Sequence, residues 1–540
     1  MKKSRIAAIV ITSILIIFSV VMTSIKPNND KDYTSDYQHE TEIGVNPDTG
    51  SATLPDDFHV DESFVTHLPL VVIDLKGNRI PNIYSFSSDG TRRVYSKEGL
   101  LNNNPWVSMN VRIIDNENGQ NHINDEAVIN NNGQIKLRGM TSRGFDKKQY
   151  GIKFMDGDAE LELPVLGMEA DEDWVLSNSL LDLSGIRNYM AMNVGRKIMP
   201  YTPEVRFCEV IFKDGDTYTY QGLYLLQESV KQAEGRVNIA DYEESAASLS
   251  YIVCRDRYDE TSLTLSTLAS DNQLCYGYFG VKYPKEELLT ENAINKIQAE
   301  LSQIEYCLYD ESQDVFLTYD KYIDVDSFID YFIINEFFMN YDAGNNSTYY
   351  YKTREGKIAV GPLWDYDNCL DNYSLEAADY ETLPFASQPW FEKLIQDPAF
   401  QKKVLNRYRE LRENILSENY INDFIDGTVE YLGNARARDY ARWKKSYEDK
   451  HLLNEVENSD GIVINRNPGD VEGEVQRVRD ILSMHGEWLD TSLDDELAKY
   501  TTEEVLHAKK IDRTGIIVIG IMFFIILIIL LTRFVKGEYR

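Results

Sequence analysis

Two aspartates follow an apolar run in the second half of the chain, in the sequence KIAVGPLWDYDN (residues 357–368). The apolar run is typical of a buried strand that stops at Gly361-Pro362, and Asp365 and Asp367 come directly after it. Residues at positions i and i+2 of an extended segment point to the same side, so both carboxylates can face one ligand. Because carboxylates are rarely buried without a positive partner, we expect a divalent cation there.

A third aspartate can reach the same place. The run VDSFIDYFIINEFFMN (325–340) has a helical apolar period, and Asp342 follows it. The next segment reads as a loop and then a hairpin that ends at GPLW, so Asp342 before the hairpin and Asp365 after it can approach each other. Asn345 and Asn346 lie in the loop and can offer an amide oxygen to a cation.

Such a set of oxygen ligands suits phosphoryl transfer. One acid orients an attacking hydroxyl, and another holds Mg²⁺ against phosphate groups. A plainer explanation remains open at this point: Asp342 can cap a helix or shape a turn, while Asp365 and Asp367 bind a structural Ca²⁺.

The opposite charge gathers in KLRGMTSRGFDKKQYGIKF (136–154), which reads as a strand, a loop and a second strand. Its basic residues include Arg138, Arg143, Lys147, Lys148 and Lys153. A loop of this type can lay backbone N–H groups along phosphate oxygens while a lysine pairs with them. The alternative is a basic hairpin exposed to solvent.

The composition excludes one class of partner. The 540 residues include 55 basic and 88 acidic side chains, for a formal charge of −33, and a nucleic acid would require a basic face. The five cysteines form no C-x-x-C pair, so we expect isolated core residues rather than a disulfide framework.

Two apolar segments predict membrane attachment. Residues 6–25 follow a basic N-terminus, residues 515–531 form a second run, and each is near the length at which a helix crosses a bilayer. We interpret the first as an uncleaved anchor rather than a signal peptide. Both termini are then predicted to be cytoplasmic, with the 26–513 body on the other side of the membrane.

Between these segments the sequence pattern changes from one typical of strands to one typical of helices. The pattern predicts an α+β protein with two lobes, a β-rich one followed by a helix-rich one that contains a hairpin. The run ARARDYARWKK (435–445) is predicted to be the solvated face of a helix that can also contact the acidic remainder of the chain. The predicted organisation is an N-terminal anchor (1–27), an acidic spacer (28–60), a β-rich lobe (61–240), a helical lobe (241–500) and a C-terminal membrane helix with a basic tail (501–540).

Several longer stretches carry a resemblance to a known family. They are IKLRGMTSRGFDKKQYGIKF, DWVLSNSLLDLSGIRNYMAMNVG, EVIFKDGDTYTYQGLYLLQESV, YIDVDSFIDYFIINEFFMNYDAGNNSTYYYK and GKIAVGPLWDYDN. In this order, over about residues 68–495, the chain resembles the spore-coat protein H (CotH) kinase-like family, whose fold is that of an atypical protein kinase. The chain has the sequence RGMTSRGF where family members usually have a motif similar to RGNSS.

The resemblance implies roles for the acidic residues. Asp342 is similar to the catalytic-loop aspartate of kinases, and Asp365, with Asp367, to the metal-holding stretch W-D-[aromatic]-D. Asn346 is the implied second metal ligand, with Asn345 and Ser347 as rivals. The implied cofactors are ATP and Mg²⁺ or Mn²⁺.

The resemblance also implies a nucleotide site. Lys153 looks like the strand lysine that meets the phosphates, with Arg138, Ser142 and Lys148 in the phosphate-binding region, and GLYLLQE would hold adenine with Glu228 nearby. The implied activity is transfer of the γ-phosphoryl group to a hydroxyl of a coat or cell-surface protein. The alternatives are a non-catalytic surface module and a Ca²⁺-dependent adhesin.

Overall fold

The computed structural model describes most of the region between the two apolar segments. The described residues are 60–81, 85–86, 93–94, 105–139, 141–177, 180–257, 262–263, 265, 278–372, 379–448, 455–457, 463–465 and 468–506. The chain divides into a compact unit of residues 35–500 and a second unit of 1–34 with 501–540, of which 501–506 are described. No helix within the described ranges is both long and apolar enough to cross a membrane. Both predicted spans, and all but the last residue of the acidic spacer, lie outside those ranges.

Strands dominate the first half of the unit 35–500. In chain order they are β1 (Val65–Thr66), β2 (Leu70–Asp74), β3 (Ser85–Phe86), β4 (Arg93–Val94), β5 (Val107–Ile114), β6 (Asn121–His122), β7 (Ile129–Arg138), β8 (Gln149–Asp156), β9 (Ala159–Glu160), β10 (Leu163–Val165), β11 (Met168–Asp171), β12 (Asp173–Ser177), β13 (Val205–Asp214), β14 (Thr217–Glu228), β15 (Tyr251–Asp256), β16 (Tyr278–Tyr283), β17 (Thr348–Lys352), β18 (Ala359–Val360), β19 (Glu455–Glu457) and β20 (Val463–Asn465).

The main sheet closes on itself. Its strand order is β12-β14-β13-β2-β5-β7-β8-β9, and β12 also pairs with β8. All these pairings are antiparallel except that of β13 with β2. Alternation along β7 sends Ile135 and Leu137 into the apolar core of the sheet, and Lys136 and Arg138 onto the other face.

Helices dominate the second half. They are α1 (Arg187–Arg196), α2 (Glu291–Tyr309), α3 (Gln313–Phe316), α4 (Val325–Phe337), α5 (Phe391–Leu394), α6 (Pro398–Arg412), α7 (Glu418–Leu432), α8 (Asn434–Tyr447) and α9 (Val471–Ala498), with short 3-10 helices at Thr141–Gly144, Glu286–Leu288 and Tyr319–Lys321. The helix expected from the apolar period of residues 325–340 is confirmed as α4, and the described part of the chain has a mixed α+β architecture.

Helix α4 and the hairpin after it lie at the centre of this half. The carboxylate of Asp324 caps α4 by accepting a hydrogen bond of 3.2 Å from the amide of Asp326. Every side chain from Ser327 to Phe337 is buried, so the helix is surrounded by protein. The predicted hairpin is β17 with β18, and β15 and β16 join it in a four-stranded sheet.

Helix α8 corrects one expectation. The run 435–445 was expected to be a solvated face that can also contact acidic residues. The solvated face is wrong for Arg438, which is buried, whereas the acidic contact is confirmed by its two hydrogen bonds of 2.8 Å with the buried carboxylate of Glu209. Lys147, from the basic loop, is also buried and pairs with Asp439 at 2.8 Å. The reason is electrostatic: charges that the sheet buries must find opposite charges, and α8 supplies them.

Candidate functional site

The loop between α4 and β17 brings two aspartates together. The side-chain amide of Asn346 donates a hydrogen bond to the Asp342 carboxylate at 2.7 Å, and its backbone amide donates to the Asp342 carbonyl at 2.9 Å. The adjacent Ser347 hydroxyl donates to the Asp365 carboxylate at 3.2 Å. The loop before the hairpin is therefore in direct contact with the segment after it.

Burial of its neighbours fixes the segment that carries Asp365. Leu363 and Tyr366 are fully buried. The Tyr366 hydroxyl donates to Asn335 of α4 at 2.8 Å, and its backbone amide donates to Asn188 of α1 at 2.7 Å. Asp365 has φ +64°, a left-handed conformation that aspartate tolerates better than most residues.

This backbone differs from the extended one assumed from sequence. A turn begins directly after Tyr366, and the left-handed Asp365 breaks the simple i, i+2 alternation. Asp365 and Asp367 nevertheless line the same cavity. Their shared orientation results from the turn and from anchoring of Tyr366, not from strand geometry.

The pKa of Asp342 is displaced in the direction that suits a base. Burial raises the pKa of the Asp342 carboxyl, and the negative charge of Asp365 raises it further. The hydrogen bond from Asn346 and the charge of Arg257 oppose this rise. A carboxylate with a raised pKa accepts a proton more readily than an ordinary surface acid.

The opposite wall of the cavity is basic and comes from the closed sheet. The Arg138 guanidinium lies over the Trp364 ring, 5.0 Å from its centroid. Burial lowers the pKa of Arg138, while its interactions with Tyr349 and with the Asp365 carboxylate act in the other direction. Cation and carboxylate thus influence each other across the cavity.

The loop after Arg138 needs a glycine. Gly139 has φ +81°, a conformation that other residues rarely adopt, and a Cβ added there would lie 1.9 Å from Ser142 Oγ and force that hydroxyl to move. The Arg143 guanidinium donates to the carbonyls of Gly139 at 2.7 Å and Leu137 at 2.9 Å. The predicted phosphate-binding loop is therefore a tight turn fastened to the end of β7.

The two walls enclose a cavity of about 890 Å³. Its charged lining is mixed, with acids from the segments around the hairpin and basic groups from both sheets. The charged lining residues are Lys136, Arg138, Arg143, Asp256, Arg257, Lys282, Asp342, Asp365 and Asp367. A cavity of this size holds a small molecule, and its charges suit a ligand that carries phosphate groups.

The cavity contains five of the residues predicted from sequence. These are Arg138, Ser142, Asp342, Asp365 and Asp367. Their roles stay predictions, but their common location is a property of the structure.

Four other predicted residues are not among those that line the cavity. The Lys153 ammonium is paired with Glu160 at 2.5 Å and Asp173 at 3.5 Å. Lys148 donates to the backbone carbonyl of Arg143 at 2.8 Å and so braces the loop. Asn346 is turned towards Asp342.

Glu228 is buried in contacts of its own. Its carboxylate accepts hydrogen bonds from the Tyr201 hydroxyl at 3.0 Å and from the backbone amide of Glu204 at 2.9 Å. Burial raises the pKa of Glu228. Its neighbour Gln227 points the other way along β14 and lines the cavity.

The donor atoms fit a hard cation, although the three aspartates do not converge tightly. Among the described residues, the ligand atoms of Asp171, Glu172 and Asp173 all lie within 4.8 Å of one another, whereas those of the three cavity aspartates do not. Lys231 pairs with Asp171 at 3.1 Å and with Glu172 at 2.8 Å, so that group already has a cation.

Further oxygens complete the donor set at the cavity. The Ser347 hydroxyl and the side-chain oxygen of Asn368 lie beside the aspartates, and the Asn368 oxygen is buried with no hydrogen-bond partner among the described residues. An unpaired buried amide oxygen next to carboxylates is what a bound Mg²⁺ or Mn²⁺ would use.

Sequence reasoning missed several lining residues. Lys136 could have been predicted from the sequence, because strand alternation places it on the same face as Arg138. No sequence pattern pointed to Asp256 of β15, to Arg257 directly after it, or to Lys282 of β16. These residues become neighbours of Asp342 only through the four-stranded sheet.

A closed sheet and a helical region that share a cavity with opposed acids and cations are typical of proteins that handle phosphate groups. The family model described as CotH kinase protein matches residues 135–483, well over half of the chain, and the chain belongs to this family. Membership supports a kinase-like function at the level of the family. The search of curated proteins found no match.

Proposed function

We propose that the chain is a membrane-anchored, ATP-dependent protein kinase of the CotH family. It transfers the γ-phosphoryl group to a serine, threonine or tyrosine hydroxyl of a coat or cell-surface protein. The closed sheet and the helical region then correspond to the two lobes of an atypical protein-kinase fold. The proposal is carried by one observation: Asp342 and Asp365, bridged by Asn346 and Ser347, face Arg138 across one cavity.

Asp342 acts on the acceptor. Its carboxylate orients the attacking hydroxyl and takes its proton, and the raised pKa brings it closer to the value at which a general base works best. The hydrogen bond from Asn346 holds the carboxylate in one orientation. In phosphoryl transfer this positioning, together with charge stabilisation, accounts for most of the catalysis.

Asp365 would hold the divalent cation, with Ser347, Asn368 and Asp367 beside it as further oxygen donors. When bound, Mg²⁺ or Mn²⁺ neutralises charge on the phosphate oxygens. The Arg138 guanidinium also neutralises charge on the phosphate oxygens, from the side of the closed sheet. Its positive charge repels other cations from that side of the cavity.

The base of the nucleotide lies at the other end of the sheet wall. Gln227 is 3% exposed and lines the cavity, and it lies within the GLYLLQE stretch that the resemblance assigns to adenine. Its amide can donate to and accept from the edge of a purine. We therefore assign adenine recognition to Gln227 rather than to Glu228.

A second candidate is a membrane-tethered module that keeps the fold without the chemistry. The spread of Asp342, Asp365 and Asp367 beyond 4.8 Å favours it, because a tight metal cluster is absent from these described side chains. ATP is also scarce outside a cell, where the 26–513 body is predicted to lie.

Transfer of radiolabel from γ-labelled ATP tests the proposal, with the purified full chain, Mg²⁺ or Mn²⁺, and dephosphorylated casein as acceptor. Asp342→Asn and Asp365→Asn each remove a charge at nearly constant volume. We expect each to lower the transfer rate by about 100-fold or more. Undiminished transfer in Asp342→Asn would contradict the role of Asp342.

Thermal unfolding separates the two candidates. A nucleotide that binds only the folded protein stabilises it by about 2.7 kcal/mol at a hundredfold excess over Kd. Stabilisation by Mg²⁺–ATP supports the kinase. No change with ATP at millimolar concentration supports the non-catalytic module, and stabilisation by Ca²⁺ alone supports the adhesin.

A further inference from the structure

Four lysines lie between residues 136 and 153, and three of them already have partners. Lys147 is buried against Asp439, and Lys148 donates to backbone carbonyls of its own loop. Lys153 is paired with two carboxylates. The ammonium groups of these three lysines are thus held in place by other groups of the protein.

Lys136 differs from the other three. It lines the cavity, and within the described part of the chain it makes no hydrogen bond or ion pair. Its ammonium lies over the ring of Trp106, 4.3 Å from the centroid. The aromatic ring fixes the position of the ammonium without neutralising it, so the charge remains available to a ligand.

The register of the sheet places Lys136 on the same wall as Gln227. Lys136 pairs with Gly151 of β8, Gly151 with Val175 of β12, and Val175 with Gln227 of β14. Directly paired residues share a face, and neighbouring strands lie about 4.8 Å apart, so the row spans roughly 14 Å. This row therefore has an amide at one end and a cation at the other.

The row has little side-chain bulk at Gly151. Gly151 has no side chain, and the Lys136 side chain passes beside it, with Cε 3.5 Å from where a Cβ would be. Lys153 lies two residue pairs further along β8, opposite Gln134 and Asp173, and does not line the cavity. A nucleotide lying along the row meets Lys136 before it can meet Lys153.

We infer that Lys136, rather than Lys153, is the lysine that binds the phosphate oxygens of the nucleotide, with Arg138 beside it. The inference rests on the proposed function and specifies which residues of the sheet wall carry it. Lys153 instead holds Glu160 and Asp173 and thereby fixes the hairpin of β8 and β9.

The electrostatics around Lys136 agree with this assignment. Burial lowers the pKa of Lys136 to about 8, and the nearby charges of Arg138, Lys153 and Arg143 act in the same direction, against Asp173. Cations crowded into a half-buried position repel each other. A bound polyphosphate relieves that repulsion, which gives nucleotide binding at Lys136 a favourable electrostatic contribution.

Matched variants of the full chain test the inference. Lys136→Met and Lys153→Met each remove one ammonium and keep the length of the side chain. Affinity for Mg²⁺–ATP and for adenosine is measured by thermal shift and calorimetry. We expect Lys136→Met to weaken ATP binding by about 10- to 100-fold, the range for a hydrogen bond to a charged group. Adenosine binding should change little, and Lys136→Arg should retain most of the affinity for ATP.

A chemical measurement on the unaltered chain does not depend on the folding of variants. Amine acetylation followed by mass spectrometry reports which lysines a ligand covers. We expect Mg²⁺–ATP to protect Lys136 and to leave the acetylation of Lys153 unchanged, whereas adenosine protects neither.

The outcomes separate the two proposals. Loss of ATP affinity in Lys153→Met with retention in Lys136→Met, or protection of Lys153 alone, would overturn the inference and leave the kinase proposal standing. Failure of the unaltered chain to bind Mg²⁺–ATP would overturn both. A Lys136→Met protein that melts below the unaltered chain without nucleotide leaves the acetylation result to decide.

Discussion

Asn346 and Asp342 are joined by a side-chain hydrogen bond of 2.7 Å, and the next residue, Ser347, is bonded to Asp365. One dipeptide thus contacts both acids of the candidate site. Burial and the charge of Asp365 raise the pKa of the Asp342 carboxyl, and the hydrogen bond from Asn346, together with the charge of Arg257, favours its ionised form.

Asn346→Ala should move the pH profile of phosphoryl transfer. Without the amide donor, the pKa of Asp342 rises further, by about one pH unit for a hydrogen bond to a charged group. The acidic limb of the profile then shifts to higher pH, while the rate on the alkaline side changes little. Asn345→Ala is the control, since the structure gives Asn345 no bond to Asp342. A uniform loss of rate at every pH would contradict this role for Asn346.

Nucleotide affinity should fall as pH rises. Lys136 has a pKa of about 8, so its ammonium is charged below that pH and neutral above it, while Arg138 and Arg143 stay charged throughout. Between pH 7 and pH 9 we expect Mg²⁺–ATP binding to weaken by about tenfold. Calorimetric titration across this range measures it. Lys136→Arg should abolish the dependence, and a pH-independent affinity in the unaltered chain would argue against the assignment of Lys136.

Substitutions of Asp365 should separate its backbone role from its charge. Asparagine tolerates the left-handed φ of +64°, so Asp365→Asn should unfold at nearly the same denaturant concentration as the unaltered chain while losing transfer activity. Asp365→Val adds a branched Cβ in that conformation and should cost about 1–2 kcal/mol of stability. Urea denaturation monitored by circular dichroism compares them. Equal stabilities would show that the backbone relaxes at this position.

A buried arginine connects the site to the last helix. Arg187 of α1 is fully buried, pairs with Asp182 and with Glu474 of α9 at 2.6 Å each, and donates to the carbonyl of Cys369 at 3.0 Å. Charge and hydrogen bonds from these acids raise the pKa of Arg187 against the opposing effect of burial. The guanidinium therefore fixes the backbone just after Asp367.

Arg187→Met should destabilise the chain by about 3–5 kcal/mol, because it removes the buried cation that lies between two buried carboxylates. Glu474 then keeps only Arg477 as a charged partner, and Asp182 keeps its hydrogen bonds from Ser184. Lys403→Ala is the matched control: its pair with Asp326, at 3.2 Å, is exposed on both sides and should contribute less than about 1 kcal/mol. Urea unfolding measures both. A loss in Arg187→Met no greater than that in the control would mean that the buried acids become protonated or reach water.

Local patterns were sufficient for much of the fold. The apolar period of α4, and the strand patterns on either side of the basic loop, each describe a single element. They were confirmed because such elements are specified by which of their own side chains must be buried. The same reasoning failed for the run 435–445, where buried partners such as Glu209 lie far away in the sequence.

The sequence by itself determined the strands and helices, the family, and the nearness of Asp342 to Asp365, which a hairpin enforces locally. Only the tertiary structure decided which cations face those acids. Lys136 and Lys153 are both strand lysines of the same segment, and their difference lies in the carboxylates of Glu160 and Asp173 that neutralise one and not the other. Opposite charges pair through space, and the distances that govern this pairing exist only once the sheet has closed.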